Sequence, residues 1–237
     1  MSARSSREWP NSFLLACFAA FLVGALVLTW VALAVGDTPP QVDIAVNQWF
    51  ADQLANQEWL VGLAAAVGTA TSPVFSTLFA LVAIAGLIIA KYYRLAAFVA
   101  VSALLGVIMA GVVKMLVGRP RPPGAAEYVT DLDASFPSGH TMAGIYLYGA
   151  VAIALWLVAR SSNVRVWRVL AVAVGALGLL LGLTRLMIGV HWLTDVLAGL
   201  AFGFVALFLS LAVVHPERTS QRSQTVAPAD PAASRSS

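Results

Sequence analysis

The chain reads as an all-α protein that crosses a membrane six times, and three features of its residues carry that reading. Hydrophobic residues make up 60% of the 237 and charged residues only 11%, against roughly a quarter charged in soluble globular domains. The apolar residues gather in runs long enough to cross the hydrocarbon, for which a helix rising about 1.5 Å per residue needs about 20. Lys and Arg then fall mainly on every second connection between the runs, the asymmetry that sets orientation in a bilayer.

The runs predict spans near 12–35, 72–90, 94–116, 140–159, 166–188 and 192–214. Arg4 and Arg7 precede the first, and Ala32-Leu33-Ala34 resembles a small-residue cleavage site. A secretory h-region is only about 7–15 residues, however, so the longer run is read as a span. Ahead of the second span, 60–71 is also apolar but is broken by Gly68 and Pro73. The fifth carries Arg185 near its end. Between the first two spans, Val42, Val46, Trp49, Phe50 and Leu54 fall at partly helical spacing. That pattern suits a helix lying in the interface, or a loop bearing aromatic belt residues.

The expected organisation is a cytoplasmic N-terminus at 1–11, a membrane domain at 12–214 and a cytoplasmic tail at 215–237. The tail is rich in Ser, Ala, Pro, Arg and Gln, a composition that favours disorder. His215, which opens it, reads as a solvated helix-end residue near Glu217. Cys17, the single cysteine, lies inside the first run, has no intrachain partner and reports nothing about redox compartment. The net charge of +3 is scattered along the chain, which excludes the basic stripe of a nucleic-acid-binding protein.

Arg4, Arg7, Lys91, Arg94, Arg160, Arg165, Arg168, Arg218 and Arg222 all fall on one side, which the positive-inside rule makes cytoplasmic. The connection 36–59 holds Asp37, Asp43, Asp52 and Glu58 with no Lys or Arg and belongs outside. Lys114, Arg119, Arg121 and Arg185 break the rule by lying on the outer side. Those exceptions point to a site.

Three segments share that face. In the first, Lys114 to Pro122, the helix is broken by Gly118 and Pro120 and a rigid turn holds several cations beside the membrane. Snorkelling accounts for Lys114 alone but not for the tight basic turn. In the second, Pro137-Ser138-Gly139-His140 opens a span. Ser138 is a favoured N-cap, Gly139 allows close backbone approach, and free N–H groups at a helix start bind anions. In the third, Thr184-Arg185 leads to His191 and Asp195, four apart and so on one face if the stretch is helical. A carboxylate holding one imidazole nitrogen leaves the other basic, as a nucleophilic histidine requires. The competing role is a buried His–Asp hydrogen bond that pins the helix, but ionisable groups at membrane depth are costly and mark function. Cations and N–H groups together suit a phosphoryl group, whose charge is spread over its oxygens. A metal fits poorly, because the basic residues around the two histidines and Asp195 would repel it.

In order and spacing these segments resemble the three motifs of the type 2 phosphatidic acid phosphatase (PAP2) superfamily, Lys-x6-Arg-Pro, Pro-Ser-Gly-His and Ser-Arg-x5-His-x3-Asp. The resemblance covers roughly 12–214, with Thr184 in place of the motif serine as a hydroxyl-preserving departure. It implies a six-helix PAP2-type bundle and a lipid phosphatase with no metal or other cofactor. His191 would be the nucleophile forming a phosphohistidine, Asp195 would orient it, and His140 would act as general acid and base. Lys114, Arg121, Arg185 and the N–H groups around Ser138 and Gly139 would cradle the phosphoryl oxygens, with Arg119 a lesser helper. The partners implied are a lipid phosphate or pyrophosphate and the surrounding membrane lipid, with the site on the extracytoplasmic side.

That location favours undecaprenyl or another polyprenyl pyrophosphate. Phosphatidic acid, phosphatidylglycerophosphate and diacylglycerol pyrophosphate are the alternatives. Transfer of phosphate to an acceptor, a vanadium-dependent haloperoxidase and a non-catalytic lipid-binding protein are the other classes. The spans argue against the haloperoxidase, and His140, His191 and Asp195 argue against mere binding.

Overall fold

The computed structural model describes residues 10–128, 134–162 and 164–218, and among them every regular element is helical. The order is α1 (Asn11–Val35), α2 (Gln41–Leu54), α3 (Glu58–Ala70), α4 (Pro73–Ile89), α5 (Tyr93–Val117), α6 (Gly139–Ala143), α7 (Ala150–Ser162), α8 (Arg165–Met187) and α9 (Leu193–Val214). α6 runs through a widened π turn, Gly144–Gly149, into α7, so that Gly139–Ser162 is one span. Five stretches are long and apolar enough to cross a membrane, and α3 with α4, bent by 55°, makes a sixth when the bent pair is counted as one span. The sequence places the second span at 72–90. The observed α4 has 17 residues, about 25 Å of rise, short of a bilayer core. α3 supplies the remaining length, and Pro73 at the first position of α4 marks the bend.

α6–α7 and α9 form the centre: 72% and 61% of their apolar windows are buried, against 11% for α1. They sit so close because small residues line their seam with α8. A β-carbon at Gly178 or Gly182 of α8 would strike the Gly144 carbonyl or the Thr141 and Val196 side chains. One at Gly199 or Gly203 of α9 would meet the carbonyls of Ser138 or Met142. Both pairs have the small-xxx-small spacing by which helices approach closely in lipid, where no hydrophobic force drives them together. The Tyr146 carbonyl lies in the π turn, where the regular ladder is disturbed, and Ser102 of α5 donates to it at 2.6 Å. α1 packs outside α9 through the stacked rings of Phe21 and Phe204, 4.4 Å apart.

The Tyr92 and Ser161 hydroxyls, 3.3 Å apart, join the α4–α5 turn to the end of α7. Lys91, Arg94, Arg160, Arg165 and Arg168 therefore gather at one end of the bundle, with the end of α9 and Arg218. The three motif segments occupy the other. Arg4, Arg7 and Arg222 lie outside the described residues. Val42, Val46, Trp49, Phe50 and Leu54 all lie on α2, which ends at Leu54; residues 55–57 separate it from α3. The expected tail is structured at its start, where Pro216–Arg218 forms a 3₁₀ turn and His215 Nδ1 lies 3.3 Å from Glu217. The rest of that tail, like the N-terminal segment through residue 9, lies outside the described residues.

Candidate active site

Gly118, at φ 61°, closes α5 with a left-handed residue. This releases the chain into Arg119-Pro120-Arg121-Pro122. That segment is fixed at several points: Ser135 N–H donates to the Arg119 carbonyl at 2.8 Å. The Ser135 hydroxyl and Trp192 Nε1 both donate to the Pro120 carbonyl at 3.0 Å. Lys114, one turn before the end of α5, donates to the Ala134 carbonyl. Arg121 Nη1 donates to the Val190 carbonyl at 3.0 Å and lies 3.2 Å from His191 Nε2.

His191 is buried at 3% exposure, in the turn that joins α8 to α9. Here the sequence reading needs correction. His191 and Asp195 do not share a helix face, because α9 starts at Leu193 and His191 precedes its cap. Asp195 is the third residue of α9, and its Oδ2 accepts the Trp192 N–H at 2.9 Å, half of a capping box. The turn nonetheless brings the pair together, with His191 Nδ1 3.5 Å from Asp195 Oδ2. That is longer than an ordinary N–H···O bond of about 2.9 Å, and Nδ1 has no hydrogen-bond partner. Burial pushes the imidazole below the ordinary histidine value; Asp195 opposes the shift, and Arg121 and Lys114 reinforce it. The free histidine is therefore held neutral, with Nδ1 toward Asp195 and the Nε2 lone pair toward Arg121.

A second correction concerns Ser138. It takes the N-cap position of α6, but its N–H donates to the Asp195 carbonyl at 3.0 Å and its hydroxyl accepts from Thr141 at 2.9 Å. Ser138 thus ties the second motif to the third, and its N–H is already committed. The N–H groups of Gly139 and His140, as first-turn donors of α6, have no acceptor within the helix. Gly139 faces the Lys114 stem.

His140 and Arg185 make up the other half of the site. His140 Nε2 lies 3.1 Å from the Gly68 carbonyl, so this nitrogen carries the proton. Arg185, buried at 3% exposure, donates to the Ala64 carbonyl at 3.1 Å and, through Nε, to Thr184 Oγ1 at 3.3 Å. Thr184 therefore uses its hydroxyl, the group it shares with the motif serine, to steady Arg185. Both carbonyls belong to the last turns of α3, and a β-carbon at Gly68 would land inside the Arg185 guanidinium.

Sequence reasoning missed Asp43 and misjudged Arg119. Arg119 does not join the cradle. It is buried, and its Nη1 donates to Asp195 Oδ1 at 2.8 Å and to Thr194 Oγ1 at 2.7 Å, while Nη2 donates to Asp43 Oδ2 at 2.7 Å. Trp192 lies under its guanidinium, 5.6 Å from ring centroid to Cζ. Among the described residues no group of three or more His, Cys, Asp or Glu side chains forms a metal cage.

Fold and site together define a helical membrane protein whose histidines and cations converge at one end of the bundle. The chain belongs to the PAP2 superfamily, whose sequence model matches residues 95–219, a stretch containing all three motif segments. It is 35% identical over 100 residues to phosphatidylglycerophosphatase B of Bacillus subtilis (strain 168). That match spans 41% of this chain and about half, 47%, of the relative. The fold resembles the crystal structure of a transmembrane PAP2 type phosphatidylglycerolphosphate phosphatase from Bacillus subtilis, with a TM-score of 0.63 at 19% identity. That likeness covers 92% of this chain and 98% of the other.

Proposed function

We propose that this protein is a membrane phosphatase that hydrolyses a lipid phosphate at the extracytoplasmic surface through a phosphohistidine on His191. The observation that carries the reading is the placement of the buried imidazole, with Asp195 behind Nδ1 and Arg121 3.2 Å in front of Nε2. Nε2 attacks phosphorus as the bond to the lipid oxygen breaks, and His140, protonated on both ring nitrogens once the phosphate charge lies beside it, passes its Nε2 proton to that oxygen and is left as neutral imidazole. Water, deprotonated by His140, then attacks the phosphohistidine, releasing phosphate and restoring His191. Lys114, Arg121, Arg185 and the N–H groups of Gly139 and His140 receive the charge on the equatorial oxygens. The outward orientation rests on the basic residues gathered at the end opposite the site.

Two substrates within this class are favoured by different observations. The relatives' names favour phosphatidylglycerophosphate, and the outward site favours a polyprenyl pyrophosphate such as undecaprenyl pyrophosphate. Purified enzyme in detergent, offered both together with phosphatidic acid and diacylglycerol pyrophosphate, should release phosphate from at least one. Release should persist in EDTA and be inhibited by vanadate, which mimics five-coordinate phosphorus. Complete loss in EDTA would overturn the metal-free chemistry, and no release from any lipid would overturn the function.

A further inference from the structure

α2 inverts what its sequence pattern suggests. Val42 and Trp49 are left 50% and 57% exposed, and its buried residue is the charged one, Asp43, at 0%. A fully buried carboxylate is costly unless every lone pair finds a partner. Asp43 Oδ1 accepts the Thr194 backbone N–H at 2.9 Å, and Oδ2 accepts the Thr194 hydroxyl and Arg119 Nη2, both at 2.7 Å. Thr194 N–H is a first-turn donor of α9, so Asp43 caps the helix that carries Asp195. Arg119 is shared: one side of its guanidinium holds Asp43, the other Asp195 Oδ1 at 2.8 Å.

The charges explain why a second carboxylate is needed. Asp195 alone against Arg119 would be a neutral pair and would offer His191 little negative potential. With Asp43 present, two carboxylates share one guanidinium, and a net negative charge is left behind the imidazole. Asp43 also fixes the plane of the guanidinium, and hence the rotamer of Asp195.

We infer that Asp43 is a positioning residue for the reaction: acting through Arg119, it holds Asp195 in place and leaves it charged enough to stabilise the His191 imidazole as it becomes cationic. The inference rests on the reading of His191 as nucleophile. The groups facing His191 are Asp195 from α9, Arg121 and Lys114 from the first motif, and His140 from α6. None of these residues is itself replaced by substitution at 43, so a shift in the pH profile reports the Asp43 charge, acting directly or through Arg119 and Asp195.

The test compares Asp43→Asn and Asp43→Glu with the full-length wild type in detergent, measuring kcat, KM and the acidic limb of kcat/KM. His191→Ala is assayed in parallel. Asp43→Asn keeps the shape but removes the charge. It should lower kcat on the order of tenfold, the scale of coupling within one hydrogen-bond network, with KM changed less than about twofold. Its acidic limb should move to lower pH, because a less negative surrounding disfavours the imidazolium. Asp43→Glu should return the limb to the wild-type position. Equal loss in kcat/KM with an unmoved limb would show a merely structural role and overturn the inference, as would wild-type behaviour of Asp43→Asn. Should Asp43→Asn fail to unfold cooperatively on heating, Asp43→Glu decides: a displaced limb overturns the inference and an unmoved one supports it. Retained activity in His191→Ala would instead sink the nucleophile reading beneath it.

Discussion

The two halves of the site are built from different materials. In the half proposed to carry the nucleophile, the residues behind His191, namely Asp195, Arg119, Thr194 and Asp43, are held by ion pairs and hydrogen bonds between buried side chains at 2.7–2.8 Å. In the acid–base half, His140 Nε2 and the Arg185 guanidinium rest on the Gly68 and Ala64 carbonyls of α3. On the proposed mechanism, these carbonyl oxygens occupy the donors that a substrate phosphate would take. The first half is preorganised, and a charge network of this kind is strongly destabilised when one partner is removed. The second makes contacts that phosphate oxygens can replace one for one, so binding exchanges hydrogen bonds without leaving a donor orphaned.

This contrast can be broken at several points. His191→Ala should reduce turnover by at least about ten-thousandfold, the scale on which loss of a nucleophile is felt. A rate within tenfold of wild type would move the nucleophile elsewhere. His140→Ala should cost about a hundred- to ten-thousandfold with lipid substrates, the usual range for a general acid. The deficit should shrink for an aryl phosphate, whose leaving group needs no proton. An equal deficit on both substrates would contradict the acid role. Gly68→Ala tests α3 itself, since the added methyl lands on the Arg185 guanidinium, and either that side chain or α3 must shift. Overpacking of this kind costs about 1–3 kcal/mol, read as a lower melting temperature. Turnover should fall less than tenfold, because α3 lends the reaction only replaceable acceptors. A loss as large as that of His140→Ala would show that the seat of Arg185 on α3 is required for turnover and contradict the replaceable-contact account.

What could be read from the chain follows from where each signal is written. Long apolar runs and the placement of Lys and Arg gave the spans and the end at which the motifs meet. Lys114, Arg121, His140, Arg185, His191 and Asp195 stood out because ionisable residues at membrane depth are expensive. Asp43 did not, because it sat in an acidic connection whose apolar positions suggested a surface helix, and its partner Arg119 is distant in sequence. Two arginines bracketing Pro120 look alike in sequence, yet one turns back to Asp43 and Asp195 and the other toward His191. The α3 contacts were invisible for another reason. They are made by backbone carbonyls, which leave no side-chain signature, and Gly68 read only as a break in an apolar run. His191 appeared to share a helix face with Asp195 because the turn at Gly189, with φ 62°, was not recognised as the end of α8.

The central claim is a covalent phosphohistidine on His191. Purified enzyme mixed with a radiolabelled lipid phosphate, quenched in denaturant within milliseconds and digested under alkaline conditions, tests it directly. Label on the peptide containing His191, stable to alkali, lost in acid and absent from His191→Ala, is the predicted result. Efficient phosphate release with no label on that peptide at any quench time, or label retained in His191→Ala, would contradict it.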